Sequence, residues 1–202
     1  HDHSSLLQAP KQRRTRPAAW LVAAVCAVFW IVVIIGGLIV LTFYLVFKPR
    51  DPRFDLSSAT FNAAYLDVGY FLNADVTLLI NFTNPNTKAD VDFSFIAVDL
   101  YYQNDFIATR YVQPFSVMRT ESMFANVNML ASEVRVGAGV ATELRRQMGY
   151  GRITFDIRAV IRTRSRFGAL FRYSYWLYPY CKIELTSPPF GVLVRKHCVT
   201  KR

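Results

Sequence analysis

The densest charge in the chain lies in the segment 152–178, and its period is two. Ile153, Phe155, Ile157, Ala159 and Ile161 fall on one face, while Arg158, Arg162 and Arg164 fall on the other. Arg166 and Arg172 extend that cationic row at and beyond a turn near Phe167-Gly168. Such a face can take an anionic partner: lipid headgroups, an acidic polysaccharide or an acidic protein surface. The plainer alternative is a solvated face, or an edge kept from self-pairing by its charge. Tyr173, Tyr175, Trp176, Tyr178 and Tyr180 follow closely, and at period two they divide between core and rim rather than forming a stacking platform.

Three cysteines are present, and Cys26 sits in an apolar run, which leaves Cys181 and Cys198 as a pair. In an oxidising compartment such a pair reads as a disulfide. Closing a loop of about 17 residues stabilises a fold by about 3 kcal/mol on the chain-entropy account. Two buried thiols are the alternative. A metal site is poorly served, because His197 is the one histidine outside the N-terminal segment and it adjoins Cys198. Asn81-Phe82-Thr83 is an N-glycan acceptor if it faces solvent, whereas Asn84 is followed by Pro85 and cannot serve. The acidic residues are scattered, and no GxSxG, P-loop, GxGxxG or HExxH occurs. The expectation is a protein that is not an enzyme and holds no cofactor.

These residues need elements to carry them. From Ala18 to Phe47 runs an uncharged block of 30 residues. A helix rises about 1.5 Å per residue and about 20 apolar residues cross a bilayer core, so residues 18–47 are expected to form a transmembrane signal-anchor helix. Trp20 at one end and Phe43, Tyr44 and Phe47 at the other suit interfacial aromatic belts. A cleaved signal peptide is the alternative, but its apolar core is about half as long and ends in small residues. Gly36-Gly37 permits close helix contact, and with it a homo-oligomer, although no GxxxG spacing directs one. Lys11, Arg13, Arg14 and Arg16 precede the block without a nearby acid, whereas Lys48, Arg50 and Arg53 after it are interleaved with Asp51 and Asp55. That asymmetry places residues 1–17 as a short basic cytosolic tail and residues 48–202 outside. The chain opens on His1, which leaves room for a longer tail. The formal net charge of +10 is thus partly membrane-flanking, and nucleic acid is not an expected partner.

After residue 54 the period is mostly two. Val76, Leu78, Ile80 and Phe82 share one face and put Asn81 on the other. Asn84-Pro85-Asn86 breaks that strand. Val91–Tyr102 changes phase between Phe95 and Ile96, which suits a bulge; Asn104-Asp105 makes a turn, and Ile107–Phe115 and Ser122–Met129 follow. From Ser132, read as an N-cap, Val134, Ala138, Ala141, Leu144 and Met148 step by three or four into a helix that Gly149 and Gly151 end. Strands resume over Arg152–Arg164, Leu170–Tyr178 and Cys181–Thr186. The expected class is mainly β, a sandwich of about seven strands with one short helix.

Four motifs in order now carry a resemblance. Lys48-Pro49-Arg50-Asp51-Pro52-Arg53-Phe54 follows the apolar run, and Asn84-Pro85-Asn86 ends a strand. Tyr180-Cys181-Lys182-Ile183-Glu184-Leu185-Thr186-Ser187-Pro188-Pro189-Phe190-Gly191 comes late, and Cys198 with Lys201-Arg202 closes the chain. Over residues 18–202 the chain resembles the plant NDR/HIN-like proteins, which carry a group-2 late-embryogenesis-abundant domain, also called the water-stress and hypersensitive-response domain. The resemblance implies a fibronectin-III/immunoglobulin-like sandwich held on the plasma membrane and facing the cell wall. It implies a part in defence or stress responses, played by binding membrane-protein or cell-wall polysaccharide partners. Cys181 and Cys198 fall on the family's late cysteines. The Asn-Gly-Asp adhesion motif of one member has no counterpart here, since Gln103-Asn104-Asp105 is only superficially close. A lipid- or polysaccharide-binding module working through the Arg158/Arg162/Arg164 face is the main rival. A membrane-tethering role is disfavoured by the short cytosolic part.

Overall fold

A computed structural model describes residues 17–46, 50–168 and 171–202. The basic residues Lys11, Arg13, Arg14 and Arg16, together with Phe47, Lys48 and Pro49, lie outside them, as does Leu170. The chain divides into two units at Lys48/Pro49.

The first unit holds helix α1, Pro17–Val46. Its stretch Pro17–Thr42 is 26 residues without a charge, which at about 1.5 Å per residue exceeds the ~30 Å of a bilayer core. The Thr42 hydroxyl donates to Leu38 O at 2.7 Å, so this polar group is satisfied within the helix itself. Length and composition fit a single-pass anchor, and a signal sequence meets the same test.

The second unit is built of nine strands and one helix: β1 (Arg53–Asp67), β2 (Phe71–Thr83), β3 (Asp90–Tyr102), β4 (Asp105–Val112), β5 (Phe115–Val117), β6 (Ser122–Arg135), α2 (Ala138–Gly149), β7 (Arg152–Phe167), β8 (Phe171–Thr186) and β9 (Gly191–Lys201). All pairs are antiparallel, in the order β4-β3-β7-β8-β9-β1-β2-β6, with β5 beside β3. The sheet folds on itself at the β9–β1 junction, where only Thr60↔Val192 and Phe61↔Gly191 pair. At the far ends Arg110 Nε on β4 donates to Asn128 O on β6 at 3.0 Å. Inner side chains of β1, β2 and β6 therefore pack against those of β3, β7 and β8. The fully buried rings Phe82 and Phe93 meet edge-to-face at 5.3 Å, as do Phe61 and Phe155. The β-sandwich class is as expected.

The strand count is not. β8 runs unbroken where two strands, Leu170–Tyr178 and Cys181–Thr186, were expected, because Pro179 sits where the β7–β8 ladder skips two pairs, between Arg158↔Tyr180 and Ile161↔Leu177, and needs no N–H there. Ile107–Phe115 is instead the separate strands β4 and β5. Strands β1 and β9 escaped the period-two reading. Register shifts at Leu56/Ser58 and Phe61/Ala63 break the alternation of β1, and β9 is mostly exposed. The phase change in β3 is a bulge, with Ser94 unpaired between Phe93↔Thr163 and Phe95↔Arg162.

Ser132 is not an N-cap. Residues 132–135 belong to β6, held by pairing with Phe71 and Leu72, and Glu133 takes φ +51 while its N–H bonds Asn73 Oδ1 at 2.9 Å. That bulge imitates a helical step. The helix starts after Gly137, which caps it with no side-chain bond. It ends as expected: Gly151 lies at φ +78 and its N–H bonds Met148 O. Ala141 and Leu144 are its buried positions. The turn between β3 and β4 is Gln103-Asn104, both at positive φ, the geometry a two-residue hairpin requires. Gly191 answers to a different constraint. A Cβ there would lie 2.1 Å from Thr186 O and 3.0 Å from Phe61 Cβ, because β9 passes from β8 to β1 at that point.

Candidate functional site

The outer face of β4, β3, β7 and β8 gathers the cations expected of it. Ile153, Phe155, Ile157, Ala159 and Ile161 are buried, and Arg158, Arg162 and Arg164 are exposed on the other side of β7. Arg166 and Arg172 face one another across the β7–β8 pair. Among the described residues, only Arg166 of these five is held in an ion pair, to Asp92 at 3.0 Å. Arg158 donates to Asn104 Oδ1 at 3.1 Å and Arg164 to Ser174 Oγ at 3.3 Å.

Aromatic rings that local spacing did not bring into view lie among them. The Arg158 guanidinium is 4.3 Å from the centre of the Tyr101 ring, and Tyr101 meets Phe106 edge-to-face. Arg162 lies 5.8 Å from the Trp176 ring, Trp176 contacts Phe95 at 6.0 Å, and Phe95 contacts Tyr111 at 5.8 Å. Register explains this: Phe95 is opposite Arg162, which is opposite Trp176, so residues from three strands share one row. The signal available in the sequence was the bulge at Ser94, which turns Phe95 outward. Of the five late aromatics, Tyr175 is buried with its hydroxyl 3.1 Å from Ser165 Oγ, and burial pushes its phenol up. Trp176 and Tyr178 are exposed. Tyr180 donates to Asp156 Oδ1 at 2.6 Å, and that bond raises its phenol pKa above the usual value.

The other singled-out residues lie elsewhere. Cys181 and Cys198 are opposite one another on β8 and β9 and form a disulfide, with Cα atoms 4.1 Å apart. Asn81 is half-buried on the outer face of β2, between Asp55 and Phe124, with the Thr83 hydroxyl 3.5 Å from its Oδ1. His197 is exposed on β9, and among the described residues no three His, Cys, Asp or Glu side chains gather as a metal site.

Asn84 and Asn86 prove to be structural. Asn84 is wholly buried: its Nδ2 faces Ala89 O, Met118 O and Val117 O at 2.9, 3.1 and 3.2 Å. Its Oδ1 accepts from Asn86 N and Nδ2 at 3.0 and 2.9 Å. Asn86 in turn clasps the backbone of Arg50 through both side-chain atoms at 2.7 Å. A cavity of about 400 Å³ opens where β1 and β9 diverge, lined by residues that include Asp51, Phe54, Asp55, Lys201 and Arg202. Arg202 at its wall pairs with Asp51 at 3.3 Å while stacking on Tyr175 at 4.3 Å, and Asp55 pairs with Lys196 at 2.6 Å.

No family model matches the chain. It is 25% identical over 178 residues to NDR1/HIN1-like protein 12 of Arabidopsis thaliana, covering 87% of this chain and 85% of that one. Looser likenesses are to the crystal structure of a protein from Archaeoglobus fulgidus, at 11% identity and TM-score 0.32, covering 69% of this chain and 97% of that one. A second is to the solution structure of an Arabidopsis thaliana protein, at 10% identity and TM-score 0.33, covering 74% and 84%. At these scores they bear on neither fold nor function.

Proposed function

We propose that this relative of the plant NDR1/HIN1-like proteins is a plasma-membrane-anchored, non-enzymatic protein of the cell surface that acts in defence or stress responses by binding. Helix α1 is the anchor, residues 1–17 are the cytosolic tail, and the sandwich of residues 48–202 stands outside as a group-2 late-embryogenesis-abundant domain. The observation that carries this is the pairing of an uncharged helix long enough to span a bilayer with a disulfide-bonded sandwich, since disulfides persist on the oxidising side of a membrane. The half-exposed sequon at Asn81 supports the same side, where it would be the site of an N-glycan. Protease added to intact protoplasts should digest the domain, and endoglycosidase should speed its gel migration. A domain that is protected until the membrane is opened sinks the topology. Unchanged mobility sinks the glycan alone.

A second reading is favoured by the unpaired arginines. The outer face of β7 and β8 binds an anionic ligand through Arg158, Arg162 and Arg164, with Arg166 and Arg172 at its margin. Fixed guanidinium groups on a surface attract anions and steer their approach. Neutralising the three arginines should abolish retention on anionic matrices at low salt.

A further inference from the structure

Three connections meet at the end of the sandwich where the chain enters it. Asn84 N bonds Glu121 O at 2.9 Å and Thr120 N bonds Asn86 O at 3.1 Å, which ties the β2–β3 connection to the β5–β6 turn. Arg119 of that turn pairs with Asp90 at 3.4 Å. Asp90 lies opposite Arg166, and Arg166 lies opposite Arg172, so the β7–β8 turn closes the same end. Asn86 fixes the entry itself by holding the Arg50 backbone through both side-chain atoms. Residues 47–49 alone separate Arg50 from Val46, the last residue of α1. An extended chain covers that step in no more than about 14 Å.

This end is both apolar and cationic. Met118 in the β5–β6 turn and Phe171 at the start of β8 are 65% and 61% exposed, each beside the tip of its connection. Phe167 braces Phe171 at 6.0 Å. Arg50, Arg53 and Arg172 are exposed around them and have no carboxylate partner among the described residues. The acids are mostly matched: Asp51 by Arg202, Asp55 by Lys196, Asp90 by Arg119 and Asp92 by Arg166. Glu121 alone of them has no ion pair among the described residues, so the end is net positive.

We infer, resting on α1 as the membrane anchor, that this end of the sandwich docks on anionic lipid headgroups. Met118 and Phe171 enter the interfacial layer, and Arg50, Arg53 and Arg172 meet phosphates. Apolar side chains standing beside basic ones are the pattern of a surface that lies in a membrane interface. A guanidinium fork matches two phosphate oxygens, and an anionic leaflet attracts basic residues only within about a Debye length. The short step from α1 to the clasped Arg50 keeps this end within that range of any bilayer that α1 crosses. An acidic protein would meet the arginines but would leave the two apolar tips without a counterpart.

The full chain is placed in nanodiscs of phosphatidylcholine, alone or mixed with phosphatidylserine, and one tryptophan is introduced at a time. Phe171→Trp reports on this end. Phe106→Trp reports on the opposite end, since β3 between them spans 13 residues, about 40 Å at about 3.3 Å per residue. Lipids brominated near the headgroup quench a tryptophan that enters the interface, and the wild type supplies the native signal to subtract. In phosphatidylserine discs, bromination should cut the signal at 171 about twofold or more and leave that at 106 unchanged. Arg53→Gln with Arg172→Gln, or raised salt, should restore most of the lost signal. Near-ultraviolet circular dichroism checks folding, and Met118→Trp gives a second reading of the same end should the Phe171 variant unfold. Equal quenching at 171 and 106 overturns the docking and leaves the anchor standing. Quenching at 171 that ignores phosphatidylserine, salt and the arginine variant overturns the anionic headgroup as ligand. A chain that does not enter the discs overturns the anchor and the docking together.

Discussion

Replacing Asn84 by alanine should cost this protein a large part of its domain stability, although no ligand touches the residue. Asn84 is wholly buried, and its amide closes the corner where β2, β3 and β5 meet. Two N–H groups serve three carbonyls, and the side-chain oxygen takes two N–H donors from Asn86. Counting four good bonds at ~1 kcal/mol net each, and allowing that the partners stay buried without replacements, the loss is about 4 kcal/mol. For a domain of this size that is a fall of about 8–16 °C in Tm, out of a total stability of about 5–15 kcal/mol. Thermal unfolding of the full chain in detergent, followed by near-ultraviolet circular dichroism, measures it. Asn84→Asp sharpens the test. Its carboxyl would face three carbonyl oxygens in a buried site, so its folded pKa would rise above the unfolded value of about 3.9. A raised folded pKa stabilises at low pH and loses that contribution as pH climbs through it. The deficit of Asn84→Asp relative to wild type should therefore widen from pH 4 to pH 7. An Asn84→Ala Tm within about 3 °C of wild type would refute the reasoning, and so would a pH-independent Asn84→Asp deficit.

The disulfide closes a 17-residue separation, so Cys181→Ser with Cys198→Ser should lower stability by about 3 kcal/mol, matched by wild type under dithiothreitol and seen in denaturant melts. Gly191→Ala should destabilise far more than Val192→Ala, because its Cβ would meet the Thr186 carbonyl at 2.1 Å, and hydrogen exchange should rise first along β1 and β9. Glu143 is held down at a pKa of about 2 by hydrogen bonds from the Arg146 guanidinium and the Gln147 amide. A depressed folded pKa contributes above the unfolded value of about 4.3 and is lost as pH falls toward 2, so exchange protection in α2 should drop over that window in wild type and not in Glu143→Gln.

What the sequence determined by itself were features written in local spacing. An uncharged block is long enough to be a membrane-crossing helix whatever follows it. The alternation Ile153–Ile161 against Arg158, Arg162 and Arg164 assigns both faces of β7, and the Ser94 bulge shows as a change of phase. The lone pair of domain cysteines named its own disulfide. Tertiary structure decided the rest, because the deciding contacts join residues far apart in the chain. Strand pairing with Phe71 and Leu72 claims residues 132–135 for β6 against their helical stepping. β9 exists because β8 and the β1 junction supply partners, and its own exposed residues carry no period. Asn84-Pro85-Asn86 reads locally as a turn, while its work is to satisfy carbonyls of residues 117 and 118 and to hold Arg50. The arginine face was legible as charge. That Phe95, Tyr111 and Tyr101 stand beside those arginines follows from register across four strands, and register is a property of the folded sheet rather than of any one segment.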